Sequence, residues 1–301
     1  MGFRLKPGEH VGDEIKRIIL RQLEGATSEL REVGTPSGNA AVHRARRRVK
    51  KVRAAIRLLR PLLGHTFEPL DRRLRGTVHL LAPVADGQGV VEALDHLTQG
   101  NADPETIDAL RAVRIGLVER EARADRRACA ERVLQRVAST LRAERSEVAG
   151  WHLRAPGFKA IAEGLEAGYR GSQDAMTAAL AHPTAHHFHS WRRRVKDHWF
   201  HVRLLEGRCG NRLRAYERRL EQLDECLGEL HNLALLIEIV GGELSVPRNQ
   251  TAARLRVIRK AQLELRRSAR ALALRLYKET PRHYIRRVHA LWRLAGVLRT
   301  R

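Results

Sequence analysis

Apolar residues recur at three- and four-residue spacing along nearly the whole chain, and no stretch alternates as a half-buried strand would. Breaks fall where Gly, Pro, Asn or Ser gather. The pattern predicts a first helix over about 11–31, a break at GTPSGN (34–39), a second helix over about 39–60 and a turn from Pro61 to Thr66. A third helix starts near Phe67, with Pro83 and the GQG at 87–89 interrupting it before 90–97. QGNADP at 99–104 introduces a long helix to about 148, with Asp103 as N-cap ahead of Pro104. Later helices are predicted from APG at 155–157 to AHPTA at 181–185, over 186–205 (ended by Gly207 and Gly210), 211–240, 249–279 and, from Pro281, to 298. The fold class is all-α.

The pattern is doubled. HRARRRVK at 43–50 and HSWRRRVK at 189–196 both fit H-x-x-R-R-R-V-K, offset by 146 residues. The register continues: Arg57-Leu58-Leu59 meets Arg203-Leu204-Leu205, Asp71-Arg72-Arg73-Leu74 meets Glu217-Arg218-Arg219-Leu220, and Leu81-Ala82 meets Leu227-Gly228. A constant offset over about 40 residues predicts two similar halves, 10–150 and 155–301, each of about four helices. The short link from Trp151 to Gly157 predicts that they pack as one domain over 1–301.

On a helical wheel, Val42, Ala45, Val49, Val52, Ile56 and Leu59 form one stripe, and His43, Arg46, Arg47, Lys50, Arg53 and Arg57 form the opposite one. The second copy sets Phe188, Trp191, Val195, Val202 and Leu205 against His189, Arg192, Arg193, Lys196 and Arg203. These are packed amphipathic helices, not basic tails. A column of like charges costs a few tenths of a kcal/mol per neighbouring pair. Either acids of neighbouring helices neutralise it, or it faces a polyanion.

Composition sharpens the choice. The chain has 301 residues, 57 Lys plus Arg against 34 Asp plus Glu, and a net charge of +23. Its hydrophobic content of 43% is too high for a disordered polycation, so a folded protein carries this charge. A phosphate polymer suits the two stripes, since Arg offers a two-pronged donor and Lys a point charge. His43 and His189 head their stripes, where a ring N–H can donate to phosphate and a bound anion favours the imidazolium.

H-x-x-R-x-x-x-K at the start of two amphipathic helices, with LGELHNLALL at 227–236, resembles the CHAD family, the conserved histidine α-helical domain. HHFHSWRRRVKDHWFHVRLL at 186–205, Gly168-Tyr169-Arg170 and KETPRHYIRRVHALWR near the C-terminus extend the resemblance to nearly the whole chain. It implies two pseudo-symmetric four-helix bundles packed around a basic central groove or pore, and binding of inorganic polyphosphate. By position it implies phosphate contacts from His43, Arg46, Lys50, Lys51, Arg53 and Arg57, and from His189, Arg192, Arg193, Lys196 and Arg203. Arg170 and Arg259 fit basic positions of flanking helices. The chain departs from the family where Trp199 stands opposite Arg53, and where Ala85-Asp86 and His231-Asn232 replace an Arg-Asp pair.

The expected function is non-enzymatic polyphosphate binding, with polyphosphate-granule targeting as one use; the alternative is an RNA-backbone binder. His182, His186, His187 and His189, or His198 and His201, invite a metal reading, but no H-E-x-x-H, nucleotide-binding P-loop or paired catalytic acids accompany them. No cofactor, metal or catalytic residue is expected. Cys129, Cys209 and Cys226 are odd in number and irregularly spaced, which predicts a reducing compartment. With no apolar run of membrane length and no signal-peptide pattern, a cytoplasmic location is expected.

Overall fold

The structure, a computed structural model, describes residues 3–6, 10–32, 38–99, 131–153, 157–242 and 248–297. The described residues are helical and contain no strand. The helices are α1 (Val11–Glu29), α2 (Gly38–Leu58), the single turn α3 (Arg60–Leu63), α4 (Phe67–Leu80), α5 (Ala82–Gln99), α6 (Glu131–Ala149), α7 (Lys159–Ala181), α8 (Ala185–Cys209), α9 (Arg214–Gly241), α10 (Arg248–Leu276) and α11 (Pro281–Val297).

Burial follows the predicted stripes. Val42, Ala45, Val49, Val52, Ile56 and Leu59 are all in the core, as are Phe188, Trp191, Val195, Val202 and Leu205. Helix α2 packs on α1, α4 and α5, and α1 and α4 both pack on α6. Helix α8 packs between α7 and α9, α10 lies on α9, and α11 covers α7 and α8. The two groups meet where α2 crosses α7 and α8 and where α5 lies on α9. Two glycines permit the closest approaches. A Cβ at Gly164 of α7 would stand 2.1 Å from the Leu58 carbonyl oxygen, and one at Gly207 would stand 2.3 Å from that of Leu5.

The stretch 81–99 departs from its expected form. No break occurs at 87–89; α5 runs unbroken from Ala82 to Gln99, and the chain turns at Leu81 instead. Pro83 falls in the first turn of α5, where a missing N–H leaves no helical bond unmade. Val90, Ala93 and Leu94 of α5 then form a separate apolar cluster with Leu233, Leu236 and Val240 of α9 and Ile258 of α10. Burial of this face holds the helix through its glycines. The predicted N-cap at Asp103 and Cys129 lie outside the described residues.

Candidate functional site

The sites of interest grow from α2 and α8, each anchored by its apolar stripe so that the opposite stripe is aimed outward. Where the two helices meet beside α4, a cleft of about 560 Å³ opens. Helix α2 contributes Lys50, Arg53 and Arg57; α8 contributes His189, Arg192, Arg193, Lys196 and Asp197; α4 contributes Arg75, Val78 and His79. Seven of these side chains are lysine or arginine.

Among the described residues, Asp71, Asp197 and Asp224 pair with four of the seven, Arg53, Arg57, Arg192 and Lys196. Asp71 of α4 accepts two hydrogen bonds from Arg53 (2.9 and 3.0 Å) and two from Arg57 (3.1 and 3.2 Å). Arg57 also donates to both oxygens of Asp197, at 2.9 and 2.8 Å, tying α2 to α8. Asp224 of α9 takes Lys196 at 2.9 Å and Arg192 at 4.0 Å. Arg75 and Arg193 pair with no carboxylate among the described residues. The cleft therefore keeps a surplus of positive charge.

Titration reflects the crowding. Burial alone would raise the Asp71 carboxyl, but hydrogen bonds from Arg53 and the charges of Arg57 and Arg53 outweigh it and hold the group below its ordinary 3.8. Burial, then the charges of Arg53 and Arg57, lowers the Arg193 guanidinium. Burial also lowers Lys196 despite Asp224, with Arg192 and Arg47 adding to the fall. His43 sits below its ordinary 6.5 through burial and then through Lys50, Arg46, Arg47 and, from across the cleft, Lys196.

The fourteen residues singled out in the sequence are distributed over several surfaces. Lys50, Arg53, Arg57, His189, Arg192, Arg193 and Lys196 line the cleft. His43 and Arg46 lie near it, within electrostatic reach of Lys196 through the His43 ring. Arg47, Lys51 and Arg203 line a different cleft, on the α1 side of α2. Arg170 is exposed on α7 and pairs with Glu166 at 2.6 Å, and Arg259 is exposed on α10; neither is among the residues lining these clefts.

Arg75 and His79 were missed, although Arg75 follows directly on the Asp71–Leu74 match in the doubled register. Its counterpart 146 residues on is Glu221, and acid against base hides the correspondence. Trp199, standing opposite Arg53, is another lesson in register. Its indole N–H donates to Glu217 at 2.8 Å, as Arg53 donates to Asp71, so the contact is kept with different chemistry.

The remaining histidines divide. His198 is wholly buried between the hydroxyls of Tyr277 (3.2 Å) and Tyr284 (2.9 Å), and burial pushes its pKa well down. His201 hydrogen-bonds the Ala54 carbonyl at 2.8 Å, joining α8 to α2. His187 caps the start of α8 with Thr184, and His189 lies against His231, tilted by 50° at 4.6 Å between centroids. Among the described residues, no group of three or more His, Cys, Asp or Glu side chains is arranged to hold a metal ion. Cys226 donates to the Leu265 carbonyl, and burial pushes its thiol up to about 11.

The arrangement defines an all-α protein with a cationic cleft built by two sequence-related helices. Its family follows from the sequence match: the CHAD domain model matches residues 17–241, and the chain belongs to that family. No curated protein matches the chain.

Proposed function

We propose that the protein binds inorganic polyphosphate in the cleft between α2, α4 and α8, as a binder and not a hydrolase. The observation that carries this reading is the meeting of seven cations from three helices on one cleft, two of which, Arg75 and Arg193, pair with no carboxylate among the described residues. Arg53 and Arg57, held by Asp71 and Asp197, act as the frame. Lys50, Arg75, Arg192, Arg193 and Lys196 supply the surface that a row of phosphates meets, with His43 and His189 as additional donors. Because Asp71, Asp197 and Asp224 each hold a cation, none is poised as a general base. Family membership supports the same reading.

RNA is the competing polyanion, and the aromatic residues weigh against it. None of the four Trp, four Tyr and five Phe side chains is exposed, and Trp191 is fully buried. A single-strand binder uses such rings as stacking platforms. A polymer of bare phosphate needs none.

The test is binding of long-chain polyphosphate by wild type and by the Arg46→Ala/Lys50→Ala/Arg192→Ala/Lys196→Ala variant, with competing RNA and a phosphate-release assay alongside. The expected result is a loss of at least a hundredfold in the folded variant, no phosphate release, and polyphosphate displacing RNA but not the reverse. Unchanged binding by the folded variant would remove the cleft assignment.

A further inference from the structure

A second concave surface, of about 940 Å³, lies between α1, α2, the later part of α8 and the segment around Phe3. It is cationic; Glu206 holds Arg4 and Glu14 holds Arg17, each at 2.7 Å. Glu29 serves Arg44 and Arg48, while Arg21, Arg47 and Lys51 pair with no carboxylate among the described residues. The Lys51 ammonium rests 5.5 Å from the Phe3 ring centroid. Arg203, on the opposite wall, reaches Glu217 and Glu221 only at 3.8 and 4.0 Å.

The doubled register gives this surface a counterpart. Arg47, Lys51 and Arg203 correspond, at the 146-residue offset, to Arg193, Asp197 and Arg57. Those three line a smaller cleft of about 350 Å³. There Asp197 accepts two hydrogen bonds from Arg57. In the larger cleft the same position carries Lys51, so Arg203 meets a second cation where Arg57 meets a carboxylate. At this register position one cleft holds a carboxylate and the other a cation. Burial, followed by Arg47, Arg203 and Arg48, pushes the Lys51 ammonium down to about 8. Cations held together in a partly dehydrated cleft are stabilised by any anion that enters, and guanidinium forks favour phosphate oxygens.

We propose that this lateral cleft is a separate anion site for a compact oligophosphate, inorganic triphosphate or the end of a longer chain, which takes the role that Asp197 plays in the counterpart. The inference stands apart from the central reading, because Lys50 and Lys196 line the central cleft and not this one.

The experiment is acylation of Lys51 by an amine-reactive ester at pH 8, read by peptide mass spectrometry. Inorganic triphosphate or long-chain polyphosphate is titrated into wild type and into the Lys50→Ala/Lys196→Ala variant. Triphosphate is expected to slow labelling of Lys51 at least tenfold, saturably, and equally in both proteins. Lys51 labelling at one rate with and without triphosphate would overturn the proposal, as would protection that disappears in the double variant. Protection by the long polymer but not by triphosphate also overturns it, since the cleft would then be part of an extended track. In a second arm, Lys51→Asp supplies Arg203 with an internal carboxylate. Calorimetry should then show triphosphate affinity at this site falling tenfold or more, and an undiminished affinity in the folded variant would contradict the proposal. Failure of the central reading shows separately, as unchanged long-chain binding in the Lys50→Ala/Lys196→Ala variant.

Discussion

Arg57 illustrates how single residues set this molecule's properties. Its guanidinium divides between Asp71 of α4 and Asp197 of α8, so one side chain joins three helices. Removing it leaves two largely buried carboxylates undercompensated, and Arg57→Met should cost about 3 kcal/mol in urea denaturation. The same pair predicts a pH dependence. The Asp71 pKa is depressed in the folded state, so its contribution is complete above the ordinary 3.8 and is lost as pH falls through the lower folded value. Asp71→Asn should therefore flatten the acid limb of the stability curve. His43 offers a matching test for binding. Its pKa lies below 6.5 in the free protein, and a polyanion raises it. Binding should thus take up protons and strengthen as pH falls below neutrality, and calorimetry in buffers of different ionisation enthalpy should find that uptake lost in His43→Gln. Six of the seven cleft cations were legible in the sequence, and Arg75 was not. Their counter-ions were not, because Asp197 and Asp71 are distant in the chain and a helical wheel shows only one helix's own face.

At the scale of elements, sequence periodicity located α2, α7, α8, α9, α10 and α11 to within a few residues, since each buries a stripe with helical spacing. It failed at α5, where local breakers suggested an interruption that packing against α9 and α10 overrides. Helix α8 begins at a side-chain cap: Thr184 Oγ1 accepts from the His187 backbone N–H at 3.3 Å. Thr184→Ala should destabilise by about 1 kcal/mol, measurable by thermal or urea unfolding. The crossing of α7 over α2 depends on Gly164. With the Leu58 carbonyl 2.1 Å from where a Cβ would stand, Gly164→Ala must push the helices apart and should cost about 2–3 kcal/mol. No sequence pattern announces that glycine, because the surface it meets belongs to a segment about a hundred residues earlier.

Taken whole, the molecule carries its +23 charge unevenly, with two cationic clefts on either side of α2 and different degrees of internal neutralisation. The doubled motif made a shared basic surface foreseeable. That the stripes divide between a central and a lateral cleft follows from the crossing of α2 and α8, which only the folded chain displays. The C-terminal helices extend beyond the matched region 17–241, yet they belong to the core: Tyr284 of α11 stacks on Tyr169 of α7 at 4.2 Å and hydrogen-bonds His198 of α8. Binding dominated by charge should weaken steeply with salt, with log K falling against log salt at a slope of roughly −3.5 if about five phosphates of a single-stranded polymer are neutralised. The central claim is tested most directly by diffraction from crystals grown with polyphosphate. The account predicts a row of phosphates in the cleft, within hydrogen-bonding distance of Lys50, Arg75, Arg193 and Lys196. A polymer bound elsewhere, with those four side chains untouched, would contradict it.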